Sequence, residues 1–115
     1  MDSILDSVKQ MLGIEPDDES FDPEIIMHIN SSFMTLNTLG IGPDAAYSIK
    51  GADNTWDEFF ESNTDIEAVK SDVYLRVKLL FDSTSMSSGL ISAYQKQIDE
   101  LEFRLMVQSE TRKDE

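Results

Sequence analysis

The fold class depends on residues 64–82, whose sequence is TDIEAVKSDVYLRVKLLFD. Apolar and polar residues alternate from Val73 to Leu79, a pattern that suits a β-strand. Thr64 and Glu67 nevertheless form a capping box, and apolar residues continue at helical spacing for about fifteen residues, longer than an average strand. The helical stripe consists of Ile66, Val69, Val73, Val77 and Leu80. The sequence here therefore predicts an amphipathic helix.

Two further helices are predicted upstream of this segment. Apolar residues at one-face spacing from Ile4 to Leu12 predict the first, and Gly13 is placed for a left-handed cap at its end. The second begins with Asp22 as N-cap and Pro23 at the first helical position. Its apolar stripe is predicted to be Ile26, Ile29, Phe33 and Leu36. Its end is marked by Gly40, Gly42 and Pro43.

The remaining chain adds a short helix and a long one. Residues 55–58 form a capping box that opens a short helix, where Trp56 is expected to anchor the irregular segment 44–54 to the core. The last helix is predicted from Ser87 or Ser88 to about Gln108. Its stripe consists of Ile91, Tyr94, Ile98, Leu101 and Leu105. We therefore predict an all-α fold, a small bundle of about four to five helices with a long C-terminal helix.

Length and composition exclude several classes of protein. The 115 residues suit one domain, predicted over residues 1–108 with a polar, mobile tail at 109–115. The absence of Cys excludes disulfides, Cys-ligated zinc, iron–sulfur clusters and thiol catalysis. No apolar run is long enough for a transmembrane helix or a signal peptide, so we expect no membrane partner. His28 is the single His and no nucleotide-binding or metal-binding motif is present, so we expect no enzyme activity, cofactor or metal.

The charge of the chain is large and unevenly placed. The net charge is −14, and residues 1–67 hold 15 acids against two bases whereas residues 68–115 are nearly neutral. The densest part is residues 15–22, where five acids surround Pro16 without the spacing of a calcium loop. We expect a solvated loop there. Such acidity repels nucleic-acid phosphates and anionic lipid.

Two helix faces carry too little charge for a solvent-exposed surface. The nineteen residues from Ile25 to Pro43 contain no formal charge, although surface helices normally carry several. Either neighbouring helices of the same chain cover this face, or it contacts another chain. The subunit-interface candidates are Met27, Asn30, Met34, Asn37 and Thr38. On the last helix the partner-docking candidates are Phe103, Met106 and Val107, because Phe103 and Val107 point away from the apolar stripe. We therefore expect a homo-oligomer.

Six blocks of sequence, in order, resemble a known family over about residues 4–105. They are residues 4–14 (ILDSVKQMLGI), 21–30 (FDPEIIMHIN), 39–43 (LGIGP), 56–59 (WDEF), 73–82 (VYLRVKLLFD) and 97–105 (QIDELEFRL). This order resembles the head–tail connector (adaptor) proteins of long-tailed phages and prophages. The resemblance implies a ring of about twelve copies docked beneath the portal protein and contacting the next connector or tail-completion protein. It implies a virion location at the head–tail junction, assembly in the bacterial cytoplasm and no catalytic residues.

The resemblance gives the acidic residues a possible role. A ring that extends the DNA channel must pass genomic DNA without binding it specifically, and an acidic wall repels phosphates. The channel-facing candidates are Glu15, Asp17, Asp18, Glu19, Asp57, Glu58 and Glu61. The alternative is an acidic regulatory protein that mimics DNA and binds a basic host protein. A mimic usually spreads its charge over the whole chain, so the neutral second half favours the connector.

Overall fold

The computed structural model describes residues 3–40, 47–59 and 66–113. The helices are α1 (Ile4–Leu12), α2 (Asp22–Thr38), α3 (Trp56–Phe59), α4 (Ile66–Asp82) and α5 (Ser88–Lys113). A single 3₁₀ turn at Ser83–Ser85 joins α4 to α5. Within these residues the β structure is limited to one bridge between Ser3 and Thr55. The all-α prediction is confirmed, and residues 73–81 are helical.

α4 is the centre of the bundle. It packs against both α2 and α5, and α1 contacts both α2 and α4. Val69, Val73 and Val77 of the predicted stripe are fully buried. Leu80 was expected to continue this stripe, but 49% of it is exposed. It lies in a cleft beside Ser31 and Thr35 of α2, whose side chains are too short to cover it.

The start of α2 differs from the prediction. The helix begins at Asp22, after Phe21, and no side chain caps it. Asp22 was predicted to be the N-cap, but its carboxylate forms an ion pair with Lys9 of α1, Nζ to Oδ1 2.9 Å. Asp22 is the first residue of the helix and its carboxylate is bound to Lys9, so it does not cap the helix. Ile25, which the predicted stripe left out, is fully buried, whereas Ile26, which it included, is only partly buried.

Trp56 anchors the segment before α3, as predicted. The ring is 3% exposed, and its edge-to-face neighbours are Phe33 and Tyr74, at centroid distances of 6.2 and 6.1 Å. The indole N–H donates to Ser7 Oγ at 3.3 Å. The Ile4 N–H donates to the Asn54 carbonyl, which ties the start of α1 to the same segment. A buried indole with its N–H satisfied is a strong anchor.

α5 is held to the bundle mainly through α4. Ile98 and Leu105 are buried, and Leu101 packs partly buried against the core. The helix continues to Lys113, five residues beyond the predicted end near Gln108. The molecule measures 44 × 35 × 19 Å, so it is about two helices thick along its shortest dimension. In so thin a subunit, one side of each outer helix faces away from the core.

Candidate assembly surfaces

The outer face of α2 is uncharged, and its longest side chains are exposed among the described residues. Met27 is 60% exposed and Met34 66%, and Ser31 and Thr38 are exposed between and after them. The four residues are separated by four, three and four positions, which places them on one stripe of the helix. We call Met27, Ser31, Met34 and Thr38 the α2 stripe. Among the described residues, neighbouring helices do not cover it.

Asn30 and Asn37 lie beside the α2 stripe and not on it. Both are partly buried. The Asn30 side chain accepts the Ile49 N–H at 2.7 Å and donates to the Ile49 carbonyl at 3.0 Å, so it closes the segment after residue 46 onto α2. A side-chain amide carries both a donor and an acceptor, so it can pair with the N–H and the carbonyl of one backbone residue at once. The structure therefore gives Asn30 a role inside the subunit.

The outer face of α5 combines apolar side chains with cations. Phe103 is 64% exposed and Val107 42%, so both point away from the core as predicted, whereas Met106 is partly buried. A shallow concavity at this place is lined by Lys96, Asp99, Glu100, Phe103, Arg104 and Val107. Among the described side chains neither Lys96 nor Arg104 has an ion-pair partner. We call Lys96, Phe103, Arg104 and Val107 the α5 patch.

The acidic loop between α1 and α2 points its carboxylates into solvent. Glu15, Asp17, Asp18 and Glu19 are all exposed. The Ser20 side chain and backbone N–H hydrogen-bond to Asp18 and lower the pKa of its carboxyl; the backbone N–H lies 3.0 Å from Oδ1. Of the remaining channel-facing candidates, Asp57 is exposed, Glu58 is described through its backbone alone, and Glu61 lies outside the described residues.

Lys9 fixes the base of this loop. Its side chain is 1% exposed, and Nζ donates to the Pro16 carbonyl at 3.0 Å in addition to the ion pair with Asp22. A buried ammonium needs such partners, because its desolvation is otherwise costly. This role of Lys9 was not predicted from the sequence. The available signal was its position one turn after Leu5 on the apolar face of α1.

A second buried charge joins α4 to α5. Asp72 is fully buried and accepts the Arg76 Nε–H at 2.8 Å, and the Arg76 guanidinium also pairs with Glu102 of α5. Burial raises the pKa of the Asp72 carboxyl, and the Arg76 charge opposes that rise. Asp72 was also missed, although its place between Val69 and Val73 was the signal.

The single His lies beside a carboxylate of its own helix. His28 Nε2 lies 3.6 Å from the Glu24 carboxylate, one turn away on the same helix. No group of three or more potential metal-binding side chains occurs in the described parts of the chain. An open cleft of about 460 Å³ lies between α4 and α5, with Met11 of α1 at its edge and Tyr74 and Tyr94 in its walls. This cleft therefore lies along the packing of α4 against α5.

Comparison with known families identifies the group to which the protein belongs. The family model described as phage connector protein matches residues 4–112, nearly the whole chain. The chain belongs to the phage connector protein family. The connector matches no curated protein and no solved structure. No described helix of the connector is both long and apolar enough to cross a membrane. Family membership gives the connector a structural role in the virion, where it contacts other virion proteins.

Proposed function

We propose that this connector is the head–tail adaptor that forms a ring below the portal, extends the DNA channel and joins the head to tail-completion proteins. The family match over residues 4–112 carries the proposal. On this proposal the connector is a structural protein of the head–tail junction, assembled in the bacterial cytoplasm and without enzyme activity. A ring of about twelve copies would require two different contact surfaces on each subunit.

Two uncovered faces support this role. The α2 stripe and the α5 patch lie on different helices, and each exposes large apolar side chains to solvent in the single subunit. A helix face of this kind costs free energy when left in water and is typical of a contact surface. The subunit candidates Met27, Met34 and Thr38 belong to the first face, and the docking candidates Phe103 and Val107 belong to the second.

The acidic loop supports the proposed passage of DNA. Its exposed residues Glu15, Asp17, Asp18 and Glu19 create a negative surface without a compensating cation beyond the buried Lys9 in the described region. We propose that this loop, together with Asp57, Glu58 and Glu61, faces the lumen. Phosphate repulsion would then keep the duplex from adhering to the wall while the DNA passes.

Deleting the gene from the phage that encodes the connector tests the proposal. We expect filled or leaking heads without tails, together with free tails, because the junction is missing. Electron microscopy of the lysate gives the particle counts, and supply of the wild-type chain in trans should restore complete particles. Complete tailed particles at the normal yield would contradict the proposal. The proposal would also be contradicted if the purified connector did not bind the portal protein but bound a basic host protein with steep salt dependence.

A further inference from the structure

The α2 stripe offers a small residue between two long ones, and the α5 patch offers one large exposed ring. On α2, Ser31 forms a gap one turn wide between Met27 and Met34, and the two Met side chains are flexible enough to adapt to a neighbour. On α5, Phe103 is the most prominent knob, with 64% of its surface exposed. A large side chain that enters a gap between residues of a facing helix is the usual basis of helix packing.

The charges around the two surfaces are complementary as well. The α2 stripe has no formal charge, but Glu24 is exposed one turn before Met27. The α5 patch carries the cations Lys96 and Arg104, for which the described side chains provide no ion-pair partner. Copies with a net charge of −14 repel one another over most of their surface. The concavity that holds the α5 patch also contains Asp99 and Glu100, so its formal charge is close to zero, and it meets the uncharged α2 stripe with less repulsion than the acidic remainder of the surface would.

We propose that α5 of one copy packs along α2 of the next copy, with Phe103 inserted over Ser31 between Met27 and Met34. The helices run parallel in this contact. Lys96 precedes Phe103 by seven residues, and Glu24 precedes Ser31 by seven, so the parallel arrangement places Lys96 opposite Glu24. An antiparallel arrangement would place Lys96 opposite Thr38 and Glu100 opposite Met34, so Lys96 would face no acid.

The parallel arrangement also places Val107 and Glu100 without conflict, whereas Arg104 falls opposite the buried Ser32 and takes no part in an ion pair. Val107 follows Phe103 by four residues and falls opposite Thr35, which follows Ser31 by four. Glu100 falls opposite His28, which is not an acid, so two negative charges do not face one another at this position. Because each copy offers one α2 and one α5, the contact is head-to-tail and repeats until a ring closes. This inference rests on the proposed function and identifies the two faces that meet.

Chemical cross-linking tests the contact in assembled particles. The chain has no Cys, so introduced thiols are the only ones in this protein. Ser31→Cys and Val107→Cys leave Phe103 in place and lie within reach of a short bismaleimide in the proposed contact. We expect a ladder of multimers from the double variant, one dimer when the two single variants are co-expressed, and monomers from either single variant alone. Gln10→Cys, exposed on α1, replaces Ser31→Cys in the control pair and should give monomers.

A charge exchange tests the register. Lys96→Glu should lower the yield of the ladder several-fold, and the further change Glu24→Lys should restore most of it, because the ion pair is re-formed with opposite polarity. Lys50→Glu removes an exposed cation elsewhere and should leave the yield unchanged.

The outcomes separate this inference from the proposed function. Particles that contain the variant chain at the normal level but give no ladder would overturn the α2–α5 contact and leave the connector role intact. Dimers from Ser31→Cys alone would overturn it in favour of a two-fold contact between α2 helices. Normal head–tail joining after deletion of the gene would refute the connector role itself, whatever the cross-links show.

Discussion

Asp72 shows how burial and one neighbouring cation compete at a single carboxyl. The side chain is fully buried, one oxygen accepts the Arg76 hydrogen bond, and Oδ2 has no hydrogen-bond partner among the described residues. Desolvation of the charged form therefore outweighs the attraction of Arg76, and the pKa of Asp72 lies above its ordinary value of 3.8. The folded protein consequently binds this proton more tightly than the unfolded chain does.

The pH dependence of stability should reveal this carboxyl. The contribution of Asp72 to the free energy of unfolding falls as pH rises from 3.8 through its higher folded pKa, because ionisation is disfavoured in the fold. Asp72→Asn resembles the neutral acid. We expect its free energy of unfolding, relative to wild type, to rise between pH 4 and pH 7 in urea titrations. Glu67→Gln, which removes an exposed charge from α4, controls for net charge. An unchanged difference at the two pH values would contradict the assignment.

At the scale of whole helices, periodicity and capping predicted most of what the structure contains. The stripe Val69, Val73 and Val77 correctly favoured a helix over a strand. Helical spacing of apolar residues is repeated over about fifteen residues, whereas the strand-like alternation involves only four apolar residues. The predicted burial of Leu80 and the predicted N-cap role of Asp22 were wrong. Both depend on partners from other elements, Ser31 and Thr35 in one case and Lys9 in the other, and a single-helix pattern contains no information about them.

Substitution of Asn30 tests the contact between α2 and the segment that precedes α3. Its amide pairs with both backbone groups of Ile49, so Asn30→Ala leaves a partly buried N–H and carbonyl without that partner. We expect a loss of about 1–3 kcal/mol in the free energy of unfolding, measured by urea denaturation. Thr38→Ala, on the exposed α2 stripe, should change stability by less than about 0.5 kcal/mol. Equal effects of the two variants would show that the amide has no structural role in the subunit.

Over the whole molecule, the sequence indicated the two exposed helix faces better than the buried charges. An uncharged run from Ile25 to Pro43 and apolar residues off the stripe of α5 are visible in the order of residues, and both faces are exposed. The pairing of Lys9 with Asp22, and of Arg76 with Glu102, joins residues far apart in the chain. Such pairs depend on how the helices pack against one another, and the order of residues within one helix does not determine that packing.

The uneven charge of the molecule leads to the last prediction, on the passage of DNA. Asp17→Lys with Glu19→Lys reverses two exposed charges of the loop and retains Asp18, which holds the Ser20 N–H. We expect particles to assemble at the normal yield and to eject DNA more slowly, because the reversed side chains attract phosphates. Dye fluorescence of DNA released from triggered particles measures the rate. The slowing should weaken as salt is raised, since the attraction is electrostatic.

Asp53→Lys with Glu67→Lys is the matched control for this last prediction. It makes the same change in net charge at two exposed acids outside the loop. If position in the channel is what matters, this control should eject DNA at the wild-type rate, whereas an equal slowing in both double variants would point to net charge alone. Ejection at the wild-type rate from the loop variant would mean that the acidic loop does not face the DNA, because two lysines in the lumen could not avoid the phosphates.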